Sequence, residues 1–220
     1  MAYTPYADTP HAPRLRVFAV IRIGLTGGMG TGKATVAKMC ARRGALVVDA
    51  DELAREAVRP GRRAWKRIVG AFGRSVLKDD RSIDRRALAG IVFSDPRKVA
   101  RLNAIVHPPV IREMRLQLAR AAREGKYAVA VANVPLLFEV GLEGEFDRTV
   151  VVACPREAQV ARCGERDGLS RREIERRLRM QMPIAEKIRR SDYVIDNGGT
   201  LKNTERQVRD IWRILTGGSA

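Results

Sequence analysis

Short runs of β-branched and aliphatic residues recur along the chain and are separated by segments of helix length. The five clearest runs occupy residues 17–26, 45–48, 127–132, 148–153 and 193–195. Continuous apolar runs of this kind are typical of strands buried on both faces, as in a parallel sheet covered by helices. The pattern therefore predicts an α/β fold built on a five-stranded parallel sheet.

Helix signals fill the segment between the second and third predicted strands. Residues 52–126 show no clear strand pattern and carry breaks at Pro60-Gly61, Ser94-Asp95-Pro96 and Pro108-Pro109. A polar capping side chain before a proline favours a helix start, because proline fits the first helical position. We expect a helical insertion here, with Pro108-Pro109 separating two of its helices.

Two further helices are predicted after the fourth strand. The first follows Cys154-Pro155 and is interrupted by Gly168. Ser170 and Glu173 then form a capping box, which starts a second helix that ends before Pro183. This stretch is densely basic, and we expect it to act as a mobile lid.

These signals predict the organisation of the whole chain. Residues 1–16 contain three prolines and no apolar core of signal-peptide length, so we expect a disordered tail. The predicted core around the sheet comprises 17–59, 127–153 and 183–220, the helical insertion 60–126, and the lid 154–182.

Composition excludes several classes of protein. The 220 residues are 45% hydrophobic, which excludes general disorder, and no apolar stretch approaches the roughly 18 residues of a membrane helix. The three cysteines form no Cys-x-x-Cys pair, which argues against a zinc site or a disulfide framework and favours a reducing, cytoplasmic location. The formal net charge of +17 is most often a solvated surface, and it also fits phosphorylated small molecules or, less well, nucleic acid, so composition does not decide between them.

A glycine-rich segment between the first strand and a helix predicted over 33–43 matches the phosphate-binding pattern G-x-x-x-x-G-K. Its backbone N–H groups and its lysine are suited to bind the phosphates of a nucleotide. The residues expected at the nucleotide are Gly27, Gly28, Gly30, Thr31, Gly32, Lys33, Ala34 and Thr35. The segment therefore predicts a nucleoside triphosphate site.

Ala34 departs from this pattern, because the position usually holds a Ser or Thr that binds Mg²⁺. A methyl group cannot bind a cation. Either Thr35 takes over, directly or through a metal-bound water, or carboxylates elsewhere hold the ion, or affinity for Mg²⁺ is weakened.

Asp51 lies just past the second predicted strand, at the edge of the sheet where α/β proteins bind ligands. This position favours a functional role, whereas the alternative is a helix N-cap. With an ordinary pKa of about 3.9, its carboxylate would be a weak base toward a hydroxyl group.

Together these segments resemble the dephospho-CoA kinase family, in order and over nearly the whole chain from about residue 23. The motifs that carry the resemblance are GLTGGMGTGK, Asp49-Ala50-Asp51, Ala54-Arg55 with Pro60-Gly61, His107-Pro108, Pro135-Leu136-Leu137-Phe138-Glu139 and Asp196-Asn197-Gly198-Gly199. The resemblance implies ATP- and Mg²⁺-dependent phosphorylation of the ribose 3′-hydroxyl of dephospho-CoA. It also implies a P-loop kinase core with a helical CoA-binding domain and a lid.

The resemblance also suggests roles for individual residues. It makes Asp51, Lys33 and Arg162 catalytic, with Asp51 orienting the 3′-hydroxyl. The substrate would contact Asp49, Asp51, His107, Leu136 and Phe138; ATP would further contact Arg166, Asn197 and Gly199. From spacing alone, His107 is more readily interpreted as a packed loop histidine, and Arg162 and Arg166 are equally well interpreted as one solvated helix face.

Asn133 is a second departure, because the family usually has an acidic residue at this strand end. Asn133 and Ala34 together remove two groups that could bind Mg²⁺. The alternative function is therefore a weakly active kinase, or a protein that binds nucleotide or nucleic acid without catalysis. Steep salt dependence would reveal nucleic-acid binding, and turnover of dephospho-CoA would reveal a kinase. We expect a small-molecule substrate, no membrane or nucleic-acid partner, and a monomer.

Overall fold

All five predicted strands are present and pair in parallel in one sheet. The computed structural model describes residues 20–218, so the tail predicted for 1–16 lies outside the described residues. The strands are β1 (Ile21–Gly27), β2 (Leu46–Asp49), β3 (Val129–Asn133), β4 (Arg148–Ala153) and β5 (Tyr193–Asp196). Their order in the sheet is β2-β3-β1-β4-β5. The prediction of an α/β fold with a five-stranded parallel sheet is confirmed.

Helices cover the sheet and form the insertion between β2 and β3. They are α1 (Lys33–Arg42), α2 (Ala50–Ala57), α3 (Arg63–Phe72), α4 (Arg85–Val92), α5 (Pro96–Glu124), α6 (Arg156–Asp167), α7 (Arg171–Arg179), α8 (Ile184–Arg190) and α9 (Leu201–Thr216). The capping box of Ser170 and Glu173 starts α7, and Asp95 caps α5 ahead of Pro96, as predicted. The short helix α8, which follows Pro183, was not predicted from the sequence.

The prediction of a helix break at Pro108-Pro109 is wrong, because both prolines lie inside the 29-residue helix α5. An internal proline lacks an N–H and clashes with the preceding turn, which costs about 3 kcal/mol. The helix continues because both of its halves are buried: Ile105 packs in the insertion, and Met114 and Leu118 pack on the sheet. Tertiary packing outweighs the local penalty.

Alternating strand residues divide the core of the sheet into two layers. On one face, Ile23, Val131 and Val150 pack with α1 and α9. On the other face, Ala130 and Ala132 pack with the second half of α5 and with the loop after β3. The alternation explains why the strands are apolar throughout, since each face is covered by helices.

The insertion has a hydrophobic cluster of its own. Its buried members come from α3, α4, the 3₁₀ turn Arg74–Val76 and the first half of α5, and they are Ala64, Ile68, Val76, Leu88, Val92 and Ile105. Because α5 is continuous, it joins this cluster rigidly to the sheet. In the described part of the chain, no helix combines the length and the apolar character that a membrane crossing requires.

The carboxyl ends of all five parallel strands meet at one edge of the sheet. Four polar or glycine positions lie there: Gly27 ends β1, Asp49 ends β2, Asn133 ends β3 and Asp196 ends β5. Asp49 and Asn133 are register partners on neighbouring strands. These four residues are therefore brought to the edge where such sheets bind ligands.

Candidate active site

The glycine-rich loop is held in a shape that only glycine permits at two of its positions. Gly30 has a φ of 76°, and an added Cβ there would lie 2.7 Å from the Gln159 carbonyl and 2.8 Å from the Cys163 sulfur. Gly32 has a φ of 89°, and an added Cβ would collide with the amide of Asn197. Both the backbone conformation and the close packing of α6 therefore require glycine.

Lys33 lies inside the loop rather than extending into solvent. Its Nζ donates to the carbonyls of Gly27 at 2.7 Å and Gly28 at 3.0 Å. Burial, together with the neighbouring charge of Lys187, lowers the pKa of Lys33 to about 8. Since a buried cation is stabilised by anions, this environment favours the binding of phosphate groups.

A glutamine that the sequence analysis missed contacts the same loop. The Met29 N–H donates to Gln181 Oε1 at 3.0 Å, and the buried Gln159 lies beside Gly28. Gln181 follows α7 and Gln159 belongs to α6, so both predicted lid helices are connected to the loop. No spacing or motif signal indicates Gln181, because its partner is 152 residues away in sequence.

Asp49, and not Asp51, caps helix α2. Asp49 Oδ1 accepts from the backbone N–H groups of Asp51 at 2.8 Å and Glu52 at 3.1 Å, and Asp49 Oδ2 accepts from Asn133 Nδ2 at 2.7 Å. The alternative role for Asp51 as an N-cap is therefore wrong. Asn133 thus orients Asp49 by a hydrogen bond.

The carboxylate of Asp51 stands in the first turn of α2 and is open to solvent on one side. The surrounding protein nevertheless reduces its hydration and raises its pKa, and Asp49 raises it further, whereas Lys33, Arg55 and Arg85 lower it. The net shift of the pKa of Asp51 is upward from that of an ordinary aspartate. A raised pKa makes Asp51 a better proton acceptor than a typical aspartate.

The two arginines expected to clamp ATP occupy different environments. Arg162 Nη2 donates to the carbonyl of Asn197 at 2.8 Å, while its Nη1 is buried without a hydrogen-bond partner within residues 20–218. Arg166 is 66% exposed and pairs with Asp167 at 2.7 Å. Arg166 still lies close enough to Lys33 to lower its pKa. They do not form one solvated helix face, since Arg162 is fixed against the core.

Asn197 joins the glycine-rich loop to the segment between β5 and α9. Its Nδ2 donates to the Thr31 carbonyl at 2.8 Å, its Oδ1 accepts from Thr204 at 2.8 Å, and its N–H donates to Ala153 at 2.7 Å. The side chain is buried and fully engaged in these contacts. Gly199 is exposed in the turn before α9.

The residues expected at the substrate are only partly brought to this edge. His107 is half-buried within α5, and burial lowers its pKa. Leu136 is half-buried in the loop after β3. Phe138 is 4% exposed and packs in the core below the sheet, with the guanidinium of Arg190 over its ring at 4.9 Å. Phe138 therefore packs between the loop after β3 and the core.

A buried ion pair connects the loop after β3 to α8. Lys187 has no exposed side-chain surface (0%), and its Nζ lies 2.8 Å from Glu139 Oε1 and 2.8 Å from the carbonyl of Pro135. Glu139 also accepts from the Met182 N–H at 2.9 Å. Such pairs serve to fix geometry more than to add stability, because desolvation offsets their attraction. Sequence reasoning did not identify Lys187.

The sequence is similar to those of known proteins over most of its length. The sequence profile of dephospho-CoA kinase matches residues 21–203. A dephospho-CoA kinase from Geobacter sulfurreducens is 49% identical over 190 residues, covering 86% of this chain and 96% of the relative. Another, from Geobacillus kaustophilus, is 44% identical over 188 residues, covering 86% and 93%.

Solved structures share the fold. A Thermus thermophilus structure, 40% identical, has a TM-score of 0.76 and covers 90% of this chain and 99% of that chain. Dephospho-CoA kinase from Campylobacter jejuni, 25% identical, has a TM-score of 0.66 and covers 90% and 98%. Since the profile spans most of the chain and these relatives are matched over nearly their full length, the chain belongs to the dephospho-CoA kinase family.

Proposed function

We propose that the protein transfers the γ-phosphoryl group of ATP to the ribose 3′-hydroxyl of dephospho-CoA, giving coenzyme A and ADP. One observation carries this proposal. Lys33 and the carboxylate of Asp51, which does not cap α2, lie at the same sheet edge, close enough for each to alter the pKa of the other. A phosphoryl donor site and a proton acceptor are thereby next to each other.

In the proposed reaction, Asp51 positions the 3′-hydroxyl group and accepts its proton. The hydroxyl oxygen forms a bond to the γ-phosphorus, while the bond from that phosphorus to the β,γ-bridging oxygen breaks and this oxygen leaves, with the electron pair, as part of ADP. The raised pKa of Asp51 supports proton transfer as well as orientation.

The loop and the arginines stabilise the charge that moves during transfer. The N–H groups of the glycine-rich loop bind phosphate oxygens, and the Met29 N–H exchanges Gln181 for a phosphate. Lys33 reorients from the Gly27 and Gly28 carbonyls toward the β- and γ-phosphates. The partnerless Nη1 of Arg162 lies beside Gly32 and supplies a further donor.

The residues at the strand ends fit a magnesium ion. Asn133 ends β3, and its buried Oδ1 lacks a hydrogen-bond partner within the described chain, so it offers one oxygen there. Oxygen ligands of this kind suit Mg²⁺, which commonly takes one or two protein oxygens together with phosphates and waters. When bound, the ion neutralises phosphate charge. Across residues 20–218, no three His, Cys, Asp or Glu side chains gather into a metal cluster.

The proposed function also gives a role to the insertion and to the predicted lid. The cluster of α3, α4 and the first half of α5 supports a CoA-binding role for 60–126, although the second half of α5 packs on the sheet. The contacts of Gln159 and Gln181 with the glycine-rich loop support a nucleotide-covering role for 154–182.

The decisive experiment measures ADP release with a coupled assay, with and without dephospho-CoA, and identifies the product by mass. We expect ADP release to depend on dephospho-CoA and coenzyme A to accumulate in equal amount. ADP release that is independent of dephospho-CoA, or its absence, would contradict the proposed function.

Ala34→Ser is expected to lower the Mg²⁺ concentration for half-maximal activity by about tenfold, since groups beside a metal site typically change affinity by about 10- to 100-fold. Ala34 is in the first turn of α1, and Thr35 points about 100° away around the helix, so its hydroxyl is at best an indirect ligand. Magnesium titrations measure this effect.

A double-mutant cycle provides the control. Thr35→Ala should raise the Mg²⁺ concentration for half-maximal activity more in the natural enzyme than in the Ala34→Ser variant, because either hydroxyl would contribute to Mg²⁺ binding. Equal magnesium midpoints for the natural protein and Ala34→Ser would mean that the other ligands already saturate the ion.

Arg162→Ala is expected to lower kcat/KM for ATP by about 10²-fold or more, since arginines at transferring phosphoryl groups contribute about 10³ to 10⁵ in related chemistry. The matched control is Arg172→Ala, which removes the same charge from an exposed position on α7. If only the melting temperature of Arg162→Ala changes, the residue serves to hold Asn197 and not to stabilise transfer.

A further inference from the structure

A basic cleft opens between the end of α2 and the start of α4. Its volume is about 420 Å³, and five cationic side chains line it: Arg55, Arg59, Lys78, Arg85 and Arg86. The single carboxylate in its lining is Asp84. Neither the phosphate-binding loop nor the strand ends contribute to it, so it is separate from the nucleotide site described above.

The positive charge of this cleft is not neutralised by the protein. Arg59 pairs with Glu56 at 2.8 Å. Within residues 20–218, the other four cations have no carboxylate within ion-pair distance. Asp84 Oδ1 is engaged in capping α4, where it accepts the N–H groups of Arg86 and Ala87. Like charges gathered in one concave site attract a multivalent anion.

The cleft begins beside the proton acceptor. Arg55 follows Asp51 by one turn on the same face of α2, and Arg85 approaches from the start of α4. Both arginines act electrostatically on the Asp51 carboxylate. Arg55 and Arg85 therefore lie within electrostatic reach of an acceptor whose 3′-hydroxyl is at Asp51.

We infer that Arg55, Arg85 and Lys78 bind the 5′-diphosphate of the acceptor substrate. The inference rests on the proposed function, because it takes Asp51 as the site of the 3′-hydroxyl. Arginine presents two parallel N–H groups to phosphate oxygens, whereas lysine acts as a point charge. The cleft thereby selects an acceptor that carries a diphosphate on the opposite side of the ribose from the reacting hydroxyl.

The experiment compares Arg55→Ala, Arg85→Ala and their double variant with the natural protein. We expect KM for dephospho-CoA to rise about 10- to 100-fold for each single variant, the range for losing a hydrogen bond to a charged group, while KM for ATP changes little. Arg85→Lys should recover part of the loss, because it keeps the charge without the paired N–H groups. The control Arg120→Ala removes one charge from a surface site paired with Glu124 and should behave as the natural protein.

Two results separate failure of the inference from failure of the proposed function. If the natural protein makes coenzyme A and the double variant keeps its KM for dephospho-CoA, the cleft does not bind the diphosphate. If the natural protein makes no coenzyme A, calorimetric titration with dephospho-CoA alone decides. Binding that the double variant weakens at least tenfold supports the inference, and equal binding or no binding overturns it.

Discussion

Lys33→Met is expected to reduce phosphoryl transfer by about 10³-fold or more, because the variant removes the cation that contacts the β- and γ-phosphates. Methionine keeps the unbranched apolar stem, so the loop retains its packing. The measurement is the rate of coenzyme A formation at saturating ATP and dephospho-CoA. Near-natural turnover in a folded variant would refute the assignment of the loop.

The fold of this variant can be tested through its pH dependence. The pKa of Lys33 is lowered by burial to about 8 in the folded protein, against about 10.4 in an unfolded chain. The folded state therefore holds this proton less tightly, and the charged amine opposes folding below about pH 8. Between pH 8 and about 10.4, the natural protein should gain stability relative to Lys33→Met, as thermal melting would measure.

The same group should shape the pH profile of activity. Because the protonated amine is needed to bind phosphates, kcat/KM for ATP should fall as pH rises through about 8. A profile that stays flat to pH 10 would mean that Lys33 keeps its proton in the free enzyme, and the assigned burial effect would be wrong.

Asp51→Asn is expected to lower kcat by about 10²-fold or more while leaving the dissociation constant for ATP nearly unchanged, since general acid–base groups contribute about 10²- to 10⁴-fold. The asparagine keeps the shape but cannot accept the proton of the hydroxyl. Because the pKa of Asp51 is raised, activity of the natural enzyme should decline on acidification at a higher pH than an ordinary aspartate would give.

Asp49→Ala is the matched comparison, because it lies two residues away and performs a different task. Asp49 caps α2 and accepts from Asn133, so its loss should cost about 0.5–2 kcal/mol of stability. Asp51→Asn should leave the melting temperature almost unchanged. The opposite pattern, with Asp51→Asn unstable and fully active, would assign the cap to Asp51.

Local patterns were sufficient to predict much of this protein. The apolar runs predicted all five strands, because strands covered on both faces need apolar residues at every position. The glycine-rich motif predicted the loop around Lys33, because only glycine adopts its backbone conformation. The capping signals at Asp95 and Ser170 also predicted the correct helix starts, since these bonds form within three residues of chain.

The tertiary structure alone decided the features that depend on distant partners. Pro108-Pro109 reads locally as a break, but burial of both halves of α5 keeps the helix continuous. Gln181 reaches Met29 from 152 residues away, and Lys187 is neutralised by Glu139 across 48 residues. The unpaired cations of the basic cleft likewise come from separate segments, namely α2, the start of α4 and the residues that precede α4. Sequence patterns report which local conformation a segment prefers, whereas hydrogen bonds, charge pairing and burial between distant segments exist only once the sheet has brought those segments together.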